Sequence, residues 1–331
     1  MNPKAVSKRQ KAPLLTGISI LVLAGVLLFG WLQREAIYDW WRLRGYTPAP
    51  EIAQMATDAT MTDYATHMYY VNRPEFKDRK SFATFCSNGH EETVVLGCYK
   101  SGQQGIYLLQ VSNAELAGIQ QVTAAHEMLH AVYDRFSTEE RKRIDKLLQD
   151  FYDNQLSDQT IKDTIDGYRK TEPDDLVNEM HSIIGTQVGS LPAELEKHYE
   201  KYFDDRSKLV AYYETYRHAF QSRQQQIKQA DAQLDSLKQQ IDQLEAEVKS
   251  EQAELNARRA TLERHQANGN AEAYNAGVDG FNALVVRYNA NVTRLQNLIA
   301  QHNQLVEERN AIAFEERQLV ESLSSSGIER Q

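Results

Sequence analysis

The sequence predicts a mainly α-helical protein with a small antiparallel β-sheet, preceded by a transmembrane helix and followed by an antiparallel coiled-coil hairpin. Three observations predict this. Residues 12–33 carry no charge and are mostly apolar; short strand-like runs with turn signals stand before residue 112; and apolar residues recur every seven positions through most of the last third. All seven prolines and both cysteines lie before residue 220, so a globular part is expected to precede an elongated helical one. The formal net charge of -9 excludes nucleic acid as an expected partner, because phosphate binding needs a clustered basic face, and the sequence has none.

Residues 1–12 read as a cytoplasmic tail and 13–33 as a membrane span. Lys4, Lys8, Arg9 and Lys11 precede the span, and Trp31, Trp40 and Trp41 follow it. The positive-inside rule then places the chain in the cell membrane as a single-pass type II protein with its bulk outside. A cleaved signal peptide is the alternative, but the apolar run is long for one and lacks a small-x-small cleavage site. In an oxidising exterior Cys86 and Cys98 are expected to pair, stapling a hairpin around Asn88-Gly89. A zinc ribbon would need four ligands, and no C-x-x-C is present.

Residues 34–60 read as a juxtamembrane stem with a helix around Glu51 to Ala59, and residues 61–205 as the globular domain. Strands are expected at His67 to Val71, Thr93 to Tyr99 and Ile106 to Val111, the last two joined through Ser101 to Gly105. A helix capped by Ser112 or Asn113 should follow. At 100° per residue its apolar positions cover most of the circumference, while Thr123, His126, Glu127, His130 and Asp134 share one polar wedge. Ser137 with Glu140 forms a capping box for the next helix. A weaker signal at Thr171, Pro173 and Asp174 launches another, striped by Leu176, Val177, Met180, Ile183 and Ile184 and ended by Gly185.

Residues 206–331 read as the coiled coil. Ile227, Leu234, Ile241, Val248, Leu255 and Leu262 recur every seven residues, with Leu237 and Leu244 between them. After the turn Asn268-Gly269-Asn270, Val278, Val285, Val292, Ile299 and Val306 keep the same spacing, joined by Phe281, Tyr288 and Leu295. Asn275, Asn282, Asn289, Gln296, Asn303 and Asn310 run beside this seam and are expected to set register, with a recognition stripe as the alternative. A protein partner on the coiled coil is one expected use of this region, and a cut near Asp205 is expected to leave the globular domain unaffected.

The chemistry concentrates in His126-Glu127-Met128-Leu129-His130. Histidines at i and i+4 share one helix face, so their imidazoles can converge on one tetrahedral ion, with Glu127 beside them to take a proton. Burying these groups among apolar turns with no partner would cost several kcal/mol, a cost that a metal removes.

With this H-E-x-x-H string the chain resembles the zincin metallopeptidases. The metzincin pattern needs Gly and His where Tyr133 and Phe136 stand, whereas Asn178-Glu179-Met180-His181-Ser182 is similar to the N-E-x-x-S segment of gluzincins. The resemblance covers roughly residues 60–205 and is to small, minimal gluzincins. It implies a zincin-like α+β domain and a zinc metalloendopeptidase that hydrolyses peptide bonds through zinc-activated water. Zn2+ would be held by His126, His130 and Glu179, and Glu127 would be general base and acid. Helix geometry by itself leaves His181 open as third ligand. Ile183 stands where thermolysin-like gluzincins place an orienting Asp, so that carboxylate must come from elsewhere, with Asp134 and Asp174 as candidates. The strand at Ile106 to Val111 would be the edge that pairs with a peptide or protein substrate. His198 and Tyr199 are the candidates for oxyanion stabilisation, with packing roles as their alternative. The rival to an enzyme is a membrane-tethered coiled-coil scaffold or regulator with a structural or vestigial zinc site. The two differ in whether the fourth zinc position is open.

Overall fold

The computed structural model describes residues 12–86 and 96–323. The expected tail, the Asn88-Gly89 turn, the start of the second expected strand and residues 324–331 lie outside these. The elements run α1 (Ala12–Leu32), α2 (Arg34–Leu43), α3 (Pro50–Asp58), α4 (Asp63–Val71), β1 (Glu75–Lys77), α5 (Arg79–Cys86), β2 (Gly97–Lys100), β3 (Gly105–Leu109) and a 3-10 turn at Ala114–Leu116. They continue through α6 (Ile119–Tyr133), α7 (Thr138–Asn154), α8 (Gln159–Thr171), α9 (Leu176–Gln187), α10 (Ala193–Tyr199), α11 (Arg206–Ala267) and α12 (Ala271–Leu323). The chain divides into two compact units, the first closing at Glu214 and the second holding residues 113–116 and 215–322.

The apolar side chains described in α1, Ile20 to Phe29 among them, are exposed. No single helix among the described residues is long and apolar enough to cross a membrane. By length and composition one bent pair is, Ile20–Leu32 with Arg34–Leu43, at 64° to each other. Residues 34–60 are not a free stem. Ile52, Ala56 and Ala59 are core residues, and Asp39 in α2 receives bonds from the Arg135 guanidinium and the His67 ring.

His67 to Val71, expected as a strand, forms the end of α4. Thr62 caps that helix by accepting from the Ala65 N–H, and Asp63 occupies its first turn, where a carboxylate suits the helix dipole. The sheet is mixed, not antiparallel. Its order is β1-β3-β2, with Phe76 opposite Leu108 in parallel and Cys98 opposite Tyr107 in antiparallel register. The expected edge at Ile106 to Val111 is therefore the central strand, and among the described residues the edges are β1 and β2. Cys86 and Cys98 are disulfide-bonded, tying the end of α5 to β2.

Helix α6 is the core of this unit, packed by α3, α4, α9, β2 and β3. It starts at Ile119 behind Gly118, later than Ser112 or Asn113 would place it. Ser137 caps α7 by accepting from the Glu140 N–H. Asp158 caps α8, and α9 continues past Gly185 to Gln187. Gly185 serves close packing, since a Cβ there would lie 2.5 Å from Tyr199 Cε1 and 2.8 Å from Leu129 Cδ1.

In the second unit α11 and α12 pair as an antiparallel hairpin, and three polar contacts give its register. The Arg287 guanidinium (2.6 Å) and Asn291 amide (3.1 Å) donate to Glu251, and the Arg309 guanidinium donates to Asp231 (2.9 Å). Glu251 is only 4% exposed, at a seam position seven residues beyond Leu244. On α12 the seam buries Leu284 and Leu298, while Ile299 is exposed. The amides from Asn275 to Asn310 that were expected to set register are exposed, and Asn291 takes that part.

Candidate metal centre

Two consecutive turns of α6 present His126 and His130, and the first turn of α9 presents Glu179 opposite them. The two Nε2 atoms are 3.0 Å apart, and the Glu179 oxygens lie 3.5 Å from His126 Nε2 and 3.3 Å from His130 Nε2. A tetrahedral zinc about 2.0 to 2.1 Å from each donor sets them roughly 3.3 Å apart, which is the spacing found. Two further features fit a cation. Glu179 Oε2 is buried with no hydrogen-bond partner, and the three donors together form a group able to hold a metal ion. His130 and Glu179 are 6% and 7% exposed.

A chain of polar contacts fixes the tautomer of His130. The Asn178 amide nitrogen donates to both Asp175 oxygens at 3.1 Å, so its carbonyl faces His130 Nδ1 at 2.9 Å. Nδ1 must then carry the proton of the neutral ring, which leaves the Nε2 lone pair aimed at the donor group. The carboxylate needed behind the histidine is thus Asp175, acting through Asn178. Asp134 instead accepts from the Tyr99 hydroxyl and the Gly102 N–H. The signal for Asn178 was its place beside Glu179 in the motif; Asp175 had no sequence signal beyond proximity.

Glu127 is 6% exposed and sits against β2. The Tyr99 backbone N–H favours the charged form of its carboxylate. Gly97 permits that approach, since a Cβ there would lie 2.8 Å from Glu127 Oε1 and 2.6 Å from Thr123 Cγ2. Burial pushes the Glu127 carboxyl up, with Glu179 adding to this, against the opposing pull of His126, His130 and Tyr99. Burial also works against Glu179 as an anion, yet His130 and His126 hold its carboxyl below the usual range.

The donors face a cavity of about 440 Å³. Its walls are β2 with Lys100 and Ser101 on one side and, on the other, Tyr168 of α8, Glu172 and Asp175 of the following turn, and Asn178 of α9. The structure brings together His126, Glu127, His130 and Glu179. It does not bring His181, His198 or Tyr199 to the cavity. His181 and His198 bond to each other through Nε2 at 2.9 Å, the Tyr199 hydroxyl donates to the His181 carbonyl, and Phe136 and Tyr202 pack around them. His181 is therefore not placed as a third ligand, and His198 and Tyr199 occupy the packing role that was their alternative. No protein-family model matches this chain, nor does any curated protein or solved structure.

Proposed function

We propose that this protein is a membrane-tethered zinc metallopeptidase of gluzincin type, with His126, His130 and Glu179 as ligands and Glu127 as general base and acid. The observation that carries the reading is the convergence of three donors at tetrahedral spacing beside the buried Glu127 carboxylate, all facing a cavity of about 440 Å³. Structural zinc sites are closed by four protein ligands, whereas this group has three among the described residues. A zinc ion held here would supply Lewis acidity and acidify a water at the open position. Glu127 would take the proton from water and return it to the leaving amine. The backbone of strand β2 would align an extended substrate, in the role that the resemblance implies for the β3 segment. The exposed apolar side chains of α1 support a membrane anchor, with the domain outside, where the disulfide is stable.

The test compares metal content and peptide hydrolysis in two variants of the full-length protein. Glu127→Gln should retain zinc and lose activity by about a hundredfold or more. His126→Ala should lose most of its zinc, since it removes one of three ligands. Glu127→Gln cleaving as fast as the parent would sink the assignment.

A further inference from the structure

Helix α2 packs with its amphipathicity reversed. Residues on a helix follow one another at about 100°, so Ile37, Trp40 and Trp41 share one arc while Asp39 and Arg42 lie on the far side. A helix lying on a soluble domain turns its apolar arc to the core. Here the polar side faces the domain. The Arg135 guanidinium donates to the two Asp39 oxygens at 2.5 and 2.8 Å, and the His67 ring bonds to Asp39 at 2.9 Å. The Tyr38 hydroxyl donates to the Gln103 carbonyl at 2.9 Å, Arg42 Nε donates to the Val71 carbonyl at 3.0 Å, and the Arg42 carbonyl accepts from the Arg73 guanidinium at 2.7 Å. These bonds fix which face of α2 looks outward. On that face Ile37, Trp40 and Trp41 are 52%, 63% and 62% exposed.

The outward stripe is not an isolated patch. It continues through the exposed Trp31 and Leu32 into the exposed apolar side chains of α1, so one apolar phase can cover both helices. Guanidinium groups stand at both ends of the stripe, Arg34 over the Trp31 ring and Arg44 over the Trp40 ring, each at 5.4 Å. Tryptophan with arginine beside it suits the level of lipid headgroups, where the indole body is apolar-solvated and the guanidinium meets phosphate. The bend of 64° between α1 and α2 has the matching geometry: a span tilted by about 20° in the plane of that bend brings α2 nearly parallel to the bilayer. Insertion of α2 as the second half of a bent span is disfavoured, because Asp39 and Arg42 would carry Arg135, His67 and the domain into hydrocarbon with them. We propose that α2 lies in the outer headgroup layer of the bilayer that α1 enters, with Ile37, Trp40 and Trp41 seated in lipid, and so docks the globular unit on the membrane in one orientation. The inference rests on the membrane-anchor part of the proposed function.

The chain has three tryptophans, Trp31, Trp40 and Trp41, so Trp31→Phe leaves a fluorescence signal from α2 alone. The full-length Trp31→Phe protein is reconstituted in vesicles of phosphatidylcholine and phosphatidylglycerol, and its recovery with them is measured by flotation. Trp40 and Trp41 should emit to the blue of tryptophan in water and resist quenching by aqueous iodide. They should lose more intensity to lipid brominated just below the headgroup than to lipid brominated near the chain ends. Protein that floats with the vesicles, yet is quenched by iodide and by neither bromolipid, overturns the inference and leaves the anchor intact. Stronger quenching by the deep bromolipid overturns it too, since α2 would then belong to a bent span. Protection from iodide and both bromolipids also overturns it, because a second copy or another protein would then cover the stripe. Protein left behind when the vesicles float overturns the anchor as well.

Discussion

At the residue scale, Asn178 links the metal group to the protein behind it. It holds His130 in the tautomer that offers Nε2, and its own orientation is fixed by Asp175. Asn178→Leu keeps the volume but leaves Nδ1–H of a buried ring without an acceptor. Zinc affinity should fall by about 10- to 100-fold, the usual cost of losing such a partner, while the fold persists; unchanged affinity in a competition titration would show that the contact does not orient the ring. That His126, His130 and Glu179 come together was legible, because one helix period pairs the two histidines and the resemblance points to Glu179. Asp175 was not, since a residue acting through another side chain leaves no spacing to read. His198 misled for a related reason: a histidine near a site in sequence is equally suited to core packing. Burial first, then Lys201 and Arg143, push its pKa down to about 3. The unfolded chain protonates near 6.5 and the native ring only far below. Stability is therefore fully present above about pH 6.5 and falls by about 1.4 kcal/mol per pH unit beneath it. With metal chelated, denaturant titrations at pH 7 and pH 5 should show the parent losing about 2 kcal/mol more between the two than His198→Gln. Equal losses would mean that His198 is not buried neutral.

At the element scale, helices with a cap and a clean stripe were legible. Ser137 with Glu140 and the seam of α11 are where the sequence places them. The sheet was less so. The segment His67-Met68-Tyr69-Tyr70-Val71 is short, apolar and aromatic, a composition that suits either a strand or a buried helix end, and the Thr62 cap decides for the helix. Strand order depends on long-range pairing: β1 reaches β3 in parallel across α5 and β2, a connection that alternation along one strand does not encode. In the hairpin, Gln103 holds a positive φ of 61° and spends its side chain on neighbours. Its amide donates to the Tyr99 hydroxyl and the Ala131 carbonyl, and its oxygen accepts from Asn72 and Arg135. Such a hub replaces the glycine that turn geometry favours, and so hides from turn-based reading. In the coiled coil, a strict heptad through Ile299 fails because the buried line of α12 alternates three and four residues and passes through Leu298.

At the scale of the whole molecule, the sequence places the end of the globular domain at Asp205, where heptad-like helix begins, and the structure places it at Glu214. Helix α11 is continuous through both positions, so periodicity alone cannot show where one packing partner gives way to another. The residues between them belong to the core. Leu209, Val210 and Tyr213 are buried, and the Tyr212 ring lies against Gly118 at the start of the ligand-bearing helix α6. Arg206, 6% exposed, donates to the Val188 and Gly189 carbonyls that follow α9 and pairs with Glu196 of α10. Removing these three buried side chains forfeits about 1.5 to 3 kcal/mol each, and the freed carbonyls and carboxylate add to that. The total approaches the 5 to 15 kcal/mol by which domains are ordinarily stable. A fragment of residues 34–214 should therefore unfold cooperatively and bind one zinc, whereas residues 34–205 should melt at far lower temperature or not fold at all. Thermal denaturation of both, with zinc content measured alongside, separates the two boundaries. Equal melting temperatures and zinc contents would place the boundary at Asp205 and assign α11 from Arg206 onward to the coiled coil alone.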